Sequence, residues 1–241
     1  MEMEEEFNSK LREIGKACGK IANDINCFYK DMEKILFVVP LRGGWPIWKG
    51  VSYGLYKVLG SFEADVAFLP ASSIVKKRDE FIEDSLTHLF RKLYLGRSYK
   101  NVIIVDEAIS GSSSKMVFDS VKGGVKNYKP DKEWKRSYWR KINVELYLVV
   151  SNQGEKLDPR IQKLRNVLIY PIKDEIITTD NSKIYPIEYV TEIEKRVSED
   201  GKVYRVVEPD VVFKKNSLWK RIVEEIEKGV EEFFELKPHK R

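Results

Sequence analysis

Apolar positions along the chain fall into two kinds of pattern. Phe7, Leu11, Ile14, Cys18, Ile21, Ile25, Phe28 and Met32 recur at spacings of four and three, which predicts one amphipathic helical unit over residues 7–34. Further along, the apolar residues run together instead, at 35–39, 66–69 (in a strand expected from Asp65 to Leu69), 102–105, 146–150 and 167–170. Short continuous runs of this kind are expected of strands buried on both faces of a parallel sheet. Helix-like stretches separate them, reaching to Leu59 and covering 78–95 and 115–121. Strands alternating with helices predict an α/β fold, a doubly wound and mostly parallel sheet. From Asp174 to Phe213 the texture shifts to Ile, Val, Tyr and Thr around a Glu199-Asp200-Gly201-Lys202 turn, which predicts antiparallel hairpins. Leu218, Ile222, Ile226, Val230 and Phe233 then mark a closing helix over 217–234. The expected organisation is an N-terminal amphipathic helix (1–34), a core (35–173) and a C-terminal hood of hairpins with a closing helix (174–241). The seam of the first helix is short, which favours packing onto its own domain over a dimerising coiled coil.

Ligands of doubly wound sheets bind where strands end at their carboxyl edge. Two such ends carry chemistry. The first strand runs into Pro40-Leu41-Arg42-Gly43-Gly44-Trp45-Pro46. Paired glycines can turn backbone amides toward an anion, and Arg42 adds a permanent cation. The third strand runs into Asp106-Glu107 and then Ser110-Gly111-Ser112-Ser113-Ser114, where a helix begins. Adjacent carboxylates at the end of a buried strand are costly without partners. The free amides of the helix that follows suit a phosphate. Acids first and phosphate-binding amides next fit a sugar phosphate, with hydroxyls on the acids. The four apolar residues before Asp106-Glu107 also have the form of a Walker B strand. No upstream Gly-x-x-x-x-Gly-Lys-Ser/Thr accompanies them, and no Gly-x-Gly-x-x-Gly fingerprint occurs.

Composition narrows the chemistry. Among 241 residues there are 43 Lys and Arg and 38 Asp and Glu, a net charge of +5, but only two His and two Cys. With His239 at the tail, His88 alone could serve a His-dependent nucleophilic mechanism, and on its helix it reads as structural. Neither a His-rich metal site nor a zinc cluster can be built. Catalysis must run on carboxylates, hydroxyls, cations, backbone amides or a hard metal ion. Cys18 and Cys27 lie nine residues apart on one helix, too far for a disulfide at about 1.5 Å rise per residue, and are expected to be buried thiols. An acidic N-terminus and the lack of an apolar run near about 18 residues predict a cytoplasmic protein.

The stretch 102–114 resembles the phosphoribosyl-pyrophosphate motif of type I phosphoribosyltransferases, and 40–46 resembles their pyrophosphate loop, upstream as in that family. The resemblance implies that Asp106 and Glu107 bind ribose hydroxyls and Mg²⁺. It places the 5′-phosphate on Ser110, Gly111, Ser112, Ser113 and Ser114, and the pyrophosphate on Arg42, Gly43 and Gly44. Val66 to Leu69 with Ser72, Ser73, Lys76, Lys77 and Arg78 resembles the mobile loop that covers the site, and Lys76 is its expected cation on the leaving group. The phosphate loop departs from the usual Thr-Gly-Gly-Thr form: its glycine comes one place earlier, at Gly111, and serines fill the rest. Ser110 stands where purine-using members often carry a carboxylate.

The implied function is Mg²⁺-dependent transfer of a phosphoribosyl group from phosphoribosyl pyrophosphate to a nucleobase-like nitrogen acceptor. A homodimer is the expected assembly. Ser151-Asn152-Gln153-Gly154 and the hood are expected to line the acceptor pocket. The alternative class is a regulator of the same fold that senses a phosphoribosyl ligand and binds RNA or DNA. Its basis is the stretch 122–141, with eight basic residues against Asp131 and Glu133 and with Tyr128, Trp134, Tyr138 and Trp139 interleaved. The same stretch also reads as a basic surface excursion.

Overall fold

The computed structural model describes residues 2–41, 43–61, 64–71, 79–80, 82–83, 87, 99–127, 142–151, 157–173, 187–188, 195–197, 203–205, 212–213 and 217–236. The N-terminal seam forms α1 (Glu2–Phe28), and a 3-10 turn at Met32–Lys34 leads into β1 (Ile35–Leu41). Then come α2 (Gly44–Leu59), β2 (Asp65–Pro70), β3 (Asn101–Ala108), α3 (Ser112–Asn127), β4 (Asn143–Ser151) and β5 (Val167–Ile172). The five apolar runs make one sheet in the order β2-β1-β3-β4-β5, with every pair parallel. All seven positions of β1 are buried, as a strand covered on both faces requires.

Successive residues feed two separate cores. Phe37, Val39, Ile103, Val105 and Val149 face a layer made of α1, α2 and the last helix, α4 (Ser217–Glu235). Val38, Val102, Ile104, Leu146 and Leu148 face the other way, onto Val117, Phe118 and Val121 of α3. Of the helix expected over 78–95, Asp79, Glu80, Ile82, Glu83 and Thr87 are helical, and the remaining positions lie outside the described residues. The hood strands are antiparallel: β6 (Ile187–Glu188) pairs with β9 (Val212–Phe213), and β7 (Lys195–Val197) with β8 (Val203–Arg205).

Glycines set the spacing of the three-helix layer. Gly50 and Gly54 of α2 lie against Cys18 and Ala22 of α1, while Gly15 and Gly19 of α1 lie against Gly229 and Phe233 of α4. Each register advances in the same sense, so the three helices run parallel. Their N-termini therefore lie at the edge where the strands end, because α2 starts there. Ion pairs flank the contact, Arg12 with Glu225 at 2.6 Å, Lys16 with Glu232 at 2.7 Å and Lys57 with Glu231 at 2.9 Å. Pairs as exposed as the last two contribute about 0–1 kcal/mol each, so close backbone packing dominates.

The seam of α1 is thus spent on its own chain. It ends earlier than its spacing predicts: Cys18 is buried, but Cys27 is exposed and Phe28 is 62% exposed. The reason is geometric, since the last turn of α1 is level with the end of α2 and past that of α4. Most of the basic stretch, residues 128–141, lies outside the described residues. Its flanks, Asn127 at the end of α3 and Asn143 at the start of β4, both sit at the edge opposite the strand ends. Among the described residues no helix is long and apolar enough to cross a membrane.

Candidate active site

The sheet is split at its centre. β1 and β3 pair only from Ile35 opposite Asn101 to Val38 opposite Ile104. Past that point β1 stays with β2 as far as Leu41 opposite Pro70, and β3 stays with β4 as far as Ala108 opposite Val150. Pro40, which has no amide hydrogen to donate, stands two residues beyond the last β1–β3 pair. The two strand ends therefore part. The split lies where the strand order reverses, the place at which doubly wound sheets take ligands.

Gly43 and Gly44 carry the chain from β1 into α2 at this split. Gly43 has ordinary helical torsions (φ −59°, ψ −41°), so rotational freedom is not why glycine stands there. Space is the reason. A Cβ on Gly44 would lie 2.8 Å from the Val105 carbonyl oxygen, and one on Gly43 would lie 2.9 Å from Glu107 Oε1 and 3.0 Å from Glu107 Cγ. The pair of glycines lets the start of α2 close onto the end of β3.

The end of β3 carries the acids. Asp106 and Glu107 are buried, at 6% and 4% exposure. The Ser114 hydroxyl donates to Asp106 Oδ2 at 2.7 Å and lies 3.4 Å from the Glu107 carbonyl oxygen. Burial pushes the Asp106 carboxyl up to about 7, and the hydrogen bonds from Ser114 and the Glu107 backbone offset only part of that rise. The acid pair is thus held in a dry setting, where a cation or the hydroxyls of a ligand gain most by meeting it.

The loop after the acids has its own logic. Gly111 takes φ +79°, the left-handed region, and its carbonyl accepts the Lys115 amide at 2.8 Å, opening α3. The early glycine in this motif therefore serves the turn itself. The amides of Ser112, Ser113 and Ser114 form the first turn, where no intrahelical acceptor exists and the helix dipole is positive. Ser112 and Ser113 are exposed, whereas Ser114 is buried. The amide of Ser114 thus stays at the helix start, while its hydroxyl serves Asp106.

Sequence reasoning missed one part of the site. The segment after β4 braces the loop that follows the acids: the Asp158 amide donates to the Ser110 carbonyl at 2.9 Å, and Ile161 and Leu157 pack under Gly111. A signal for it exists in Asp158-Pro159, since Asp158 caps a single helical turn at Pro159–Gln162 by accepting the Arg160 amide at 2.8 Å. A Cβ on Gly111 would come within 2.8 Å of Leu157 Cδ1 and closer still to Ile161 Cδ1. Gly111→Ala combines this overlap with a left-handed torsion, so it is expected to cost about 2–3 kcal/mol. Urea melts of the variant check it.

The structure brings Asp106, Glu107, Gly43, Gly44, Ser110, Gly111, Ser112, Ser113 and Ser114 to the carboxyl ends of the adjacent strands β1 and β3. Arg42, Lys76 and His88 lie outside the described residues, as do positions 152–154; Ser151 is buried at the end of β4. Among the described residues no three His, Cys, Asp or Glu side chains gather as a metal cage. Two carboxylates at a strand end do suit Mg²⁺, which commonly takes one or two from the protein and the rest from phosphate and water.

No protein-family model and no curated protein sequence matches the chain. Among solved structures it is similar to a hypoxanthine-guanine phosphoribosyltransferase from Leishmania tarentolae in complex with GMP, with 14% identity and a TM-score of 0.38, covering 68% of this chain and 78% of that one. It is also similar to a hypoxanthine phosphoribosyltransferase from Staphylococcus aureus, with 13% identity and a TM-score of 0.38, covering 69% and 77%. A hypoxanthine-guanine-xanthine phosphoribosyltransferase aligns at 13% identity and a TM-score of 0.37, covering 83% and 92%. With identities this low and TM-scores below 0.5, the function has to be argued from the chain's own residues.

Proposed function

We propose that this chain transfers a phosphoribosyl group from phosphoribosyl pyrophosphate to a nitrogen of a nucleobase-like acceptor, releasing pyrophosphate. One observation carries the reading: at the split of the sheet the two buried acids at the end of β3 each stand beside a helix N-terminus, Asp106 at α3 and Glu107 at α2. A ligand with two anionic ends joined by hydroxyl-bearing carbons matches that arrangement group for group.

In this reading the amides of Ser112, Ser113 and Ser114 hold the 5′-phosphate, with Gly111 setting the turn that presents them. Asp106 and Glu107 accept hydrogen bonds from the ribose hydroxyls. The start of α2 at Gly43 and Gly44 receives the pyrophosphate. Arg42 and Lys76 add positive charge there. Carbon–oxygen cleavage at the anomeric centre leaves positive charge on the sugar ring, and the two carboxylates beneath it favour that charge electrostatically. Anchoring the remote phosphate fixes the reacting carbon between leaving group and acceptor, so binding energy far from the chemistry lowers the barrier. When bound, Mg²⁺ would be held by Asp106 and Glu107 with substrate oxygens, and it would supply neutralisation of the leaving pyrophosphate. Ser151, at the end of the neighbouring strand, is proposed to face the acceptor.

The test is pyrophosphate release from phosphoribosyl pyrophosphate across a panel of purine and pyrimidine bases, with and without Mg²⁺. Turnover with at least one base is the expected result. Ligand binding without turnover, joined to steeply salt-dependent RNA or DNA binding, would replace this reading with the ligand-sensing regulator. No binding of phosphoribosyl pyrophosphate would sink both.

A further inference from the structure

Three serines form the first turn of α3, and the helix phase separates their hydroxyls. Ser112 and Ser113 are exposed, whereas Ser114 is only 2% exposed. A buried hydroxyl costs free energy unless it is paired, and alanine would fill most of the same space without that cost. The partner of Ser114 is Asp106, itself buried, whose Oδ2 accepts the hydroxyl at 2.7 Å. The Glu107 backbone supplies another hydrogen bond to the same carboxylate. One tie comes from β3 itself and one from α3, so turning the carboxylate about its own bond breaks at least one of them.

We infer that Ser114 is a positioning residue for Asp106: its hydroxyl holds the carboxylate in the orientation used toward the ribose and is not a ligand of the 5′-phosphate. The inference rests on the proposed function, in which Asp106 meets the ribose hydroxyls and the first amides of α3 meet the phosphate. Ser114 then serves both ends of the sugar, its amide the phosphate and its hydroxyl the acid. The spacing between phosphate anchor and acid is thereby set within a single residue. A carboxylate already oriented needs no rearrangement as positive charge develops on the ring, and a small misplacement of such a group is costly in rate. The hydroxyl therefore acts on rate. Affinity for the phosphate stays with the amides, which a change of side chain leaves in place.

The test measures steady-state turnover of phosphoribosyl pyrophosphate by the full chain with Mg²⁺ and an accepted base, beside calorimetric titration of phosphoribosyl pyrophosphate without base. Ser114→Ala is expected to lower kcat about tenfold, while KM and the dissociation constant stay within about twofold of wild type. Ser114→Thr retains the hydroxyl and is expected to recover most of the lost kcat. A raised KM and weaker binding at unchanged kcat would make the hydroxyl a phosphate ligand and overturn the inference. Lower stability in urea with neither constant altered would reduce the bond to a structural one, which overturns it equally. So would a Ser114→Thr variant that folds yet turns over no faster than Ser114→Ala. If Ser114→Thr does not melt cooperatively, the split between kcat and KM in Ser114→Ala decides alone. Absence of wild-type turnover with every base is a different result: it removes the proposed function, and this inference with it.

Discussion

Gly229→Ala is expected to destabilise the protein by about 3 kcal/mol or more, although the same exchange in an open helix interior gains about 1 kcal/mol. The added methyl would fall inside contact distance of the Arg12 carbonyl oxygen and lie 2.8 Å from Arg12 Cα. Those are backbone atoms of α1 and cannot swing aside. The helices must separate, and Leu11, Ile14, Ile222 and Ile226, all at 0% exposure, lose their packing together. Gly15→Ala meets the Ile226 backbone at the same crossing. The two changes should therefore be less than additive, because one separation of the helices relieves both overlaps. Urea denaturation of the single and double variants measures this. A Gly229→Ala midpoint within about 1 kcal/mol of wild type would show that the helices tolerate a wider crossing.

On the proposed function, Asp106→Asn should slow turnover and strengthen the fold. The two effects have one cause. Burial raises the Asp106 carboxyl to about 7 from an ordinary value of 3.8. For an acid raised on folding, the native state binds the proton more tightly than the unfolded chain does, so the group favours folding at low pH. That contribution is lost as pH climbs from about 4 to about 7, and above 7 the buried charge costs on the order of 4 kcal/mol at most. Asn keeps an oxygen for the Ser114 hydroxyl and removes the charge. In a chelator, the Asn variant is expected to exceed wild-type stability by about 2–4 kcal/mol at pH 8, with the gap narrowing at pH 5. Turnover is expected to fall by about 10²-fold or more, the loss typical of removing a group that stabilises a developing charge. A gap that does not shrink with falling pH would mean that Asp106 is not the titrating group.

The parallel sheet was legible because its central strands β1, β3 and β4 are buried on both faces, and few elements but such strands carry short continuous apolar runs like 102–105. The two loops were legible for the opposite reason: Gly43-Gly44 and Asp106-Glu107 break those runs with residues that are expensive there. What the sequence concealed is relational. Pro40 is visible in the chain, but nothing local says that β3 parts from β1 just before it. Ser114 reads as one of three equivalent serines until the helix phase turns its hydroxyl inward while Ser112 and Ser113 face out. The brace at Leu157 and Ile161 depends on a fold-back that no periodicity encodes. Likewise Gly15, Gly19, Gly50 and Gly54 sit at four-residue spacing in plain view, yet their meaning needs the partner helices beside them.

That partnership also sets an order in time. Arg12 and Glu225 meet across 213 residues, and α4 packs on both α1 and α2. During synthesis, the face of α1 around Gly15 and Gly19 has no α4 to cover it until the last helix has left the ribosome. The contact that closes the layer is among the most non-local in the chain, which slows folding and lengthens exposure to aggregation. A nascent chain stalled before residue 217 is therefore a substrate for chaperones, whatever the state of its sheet.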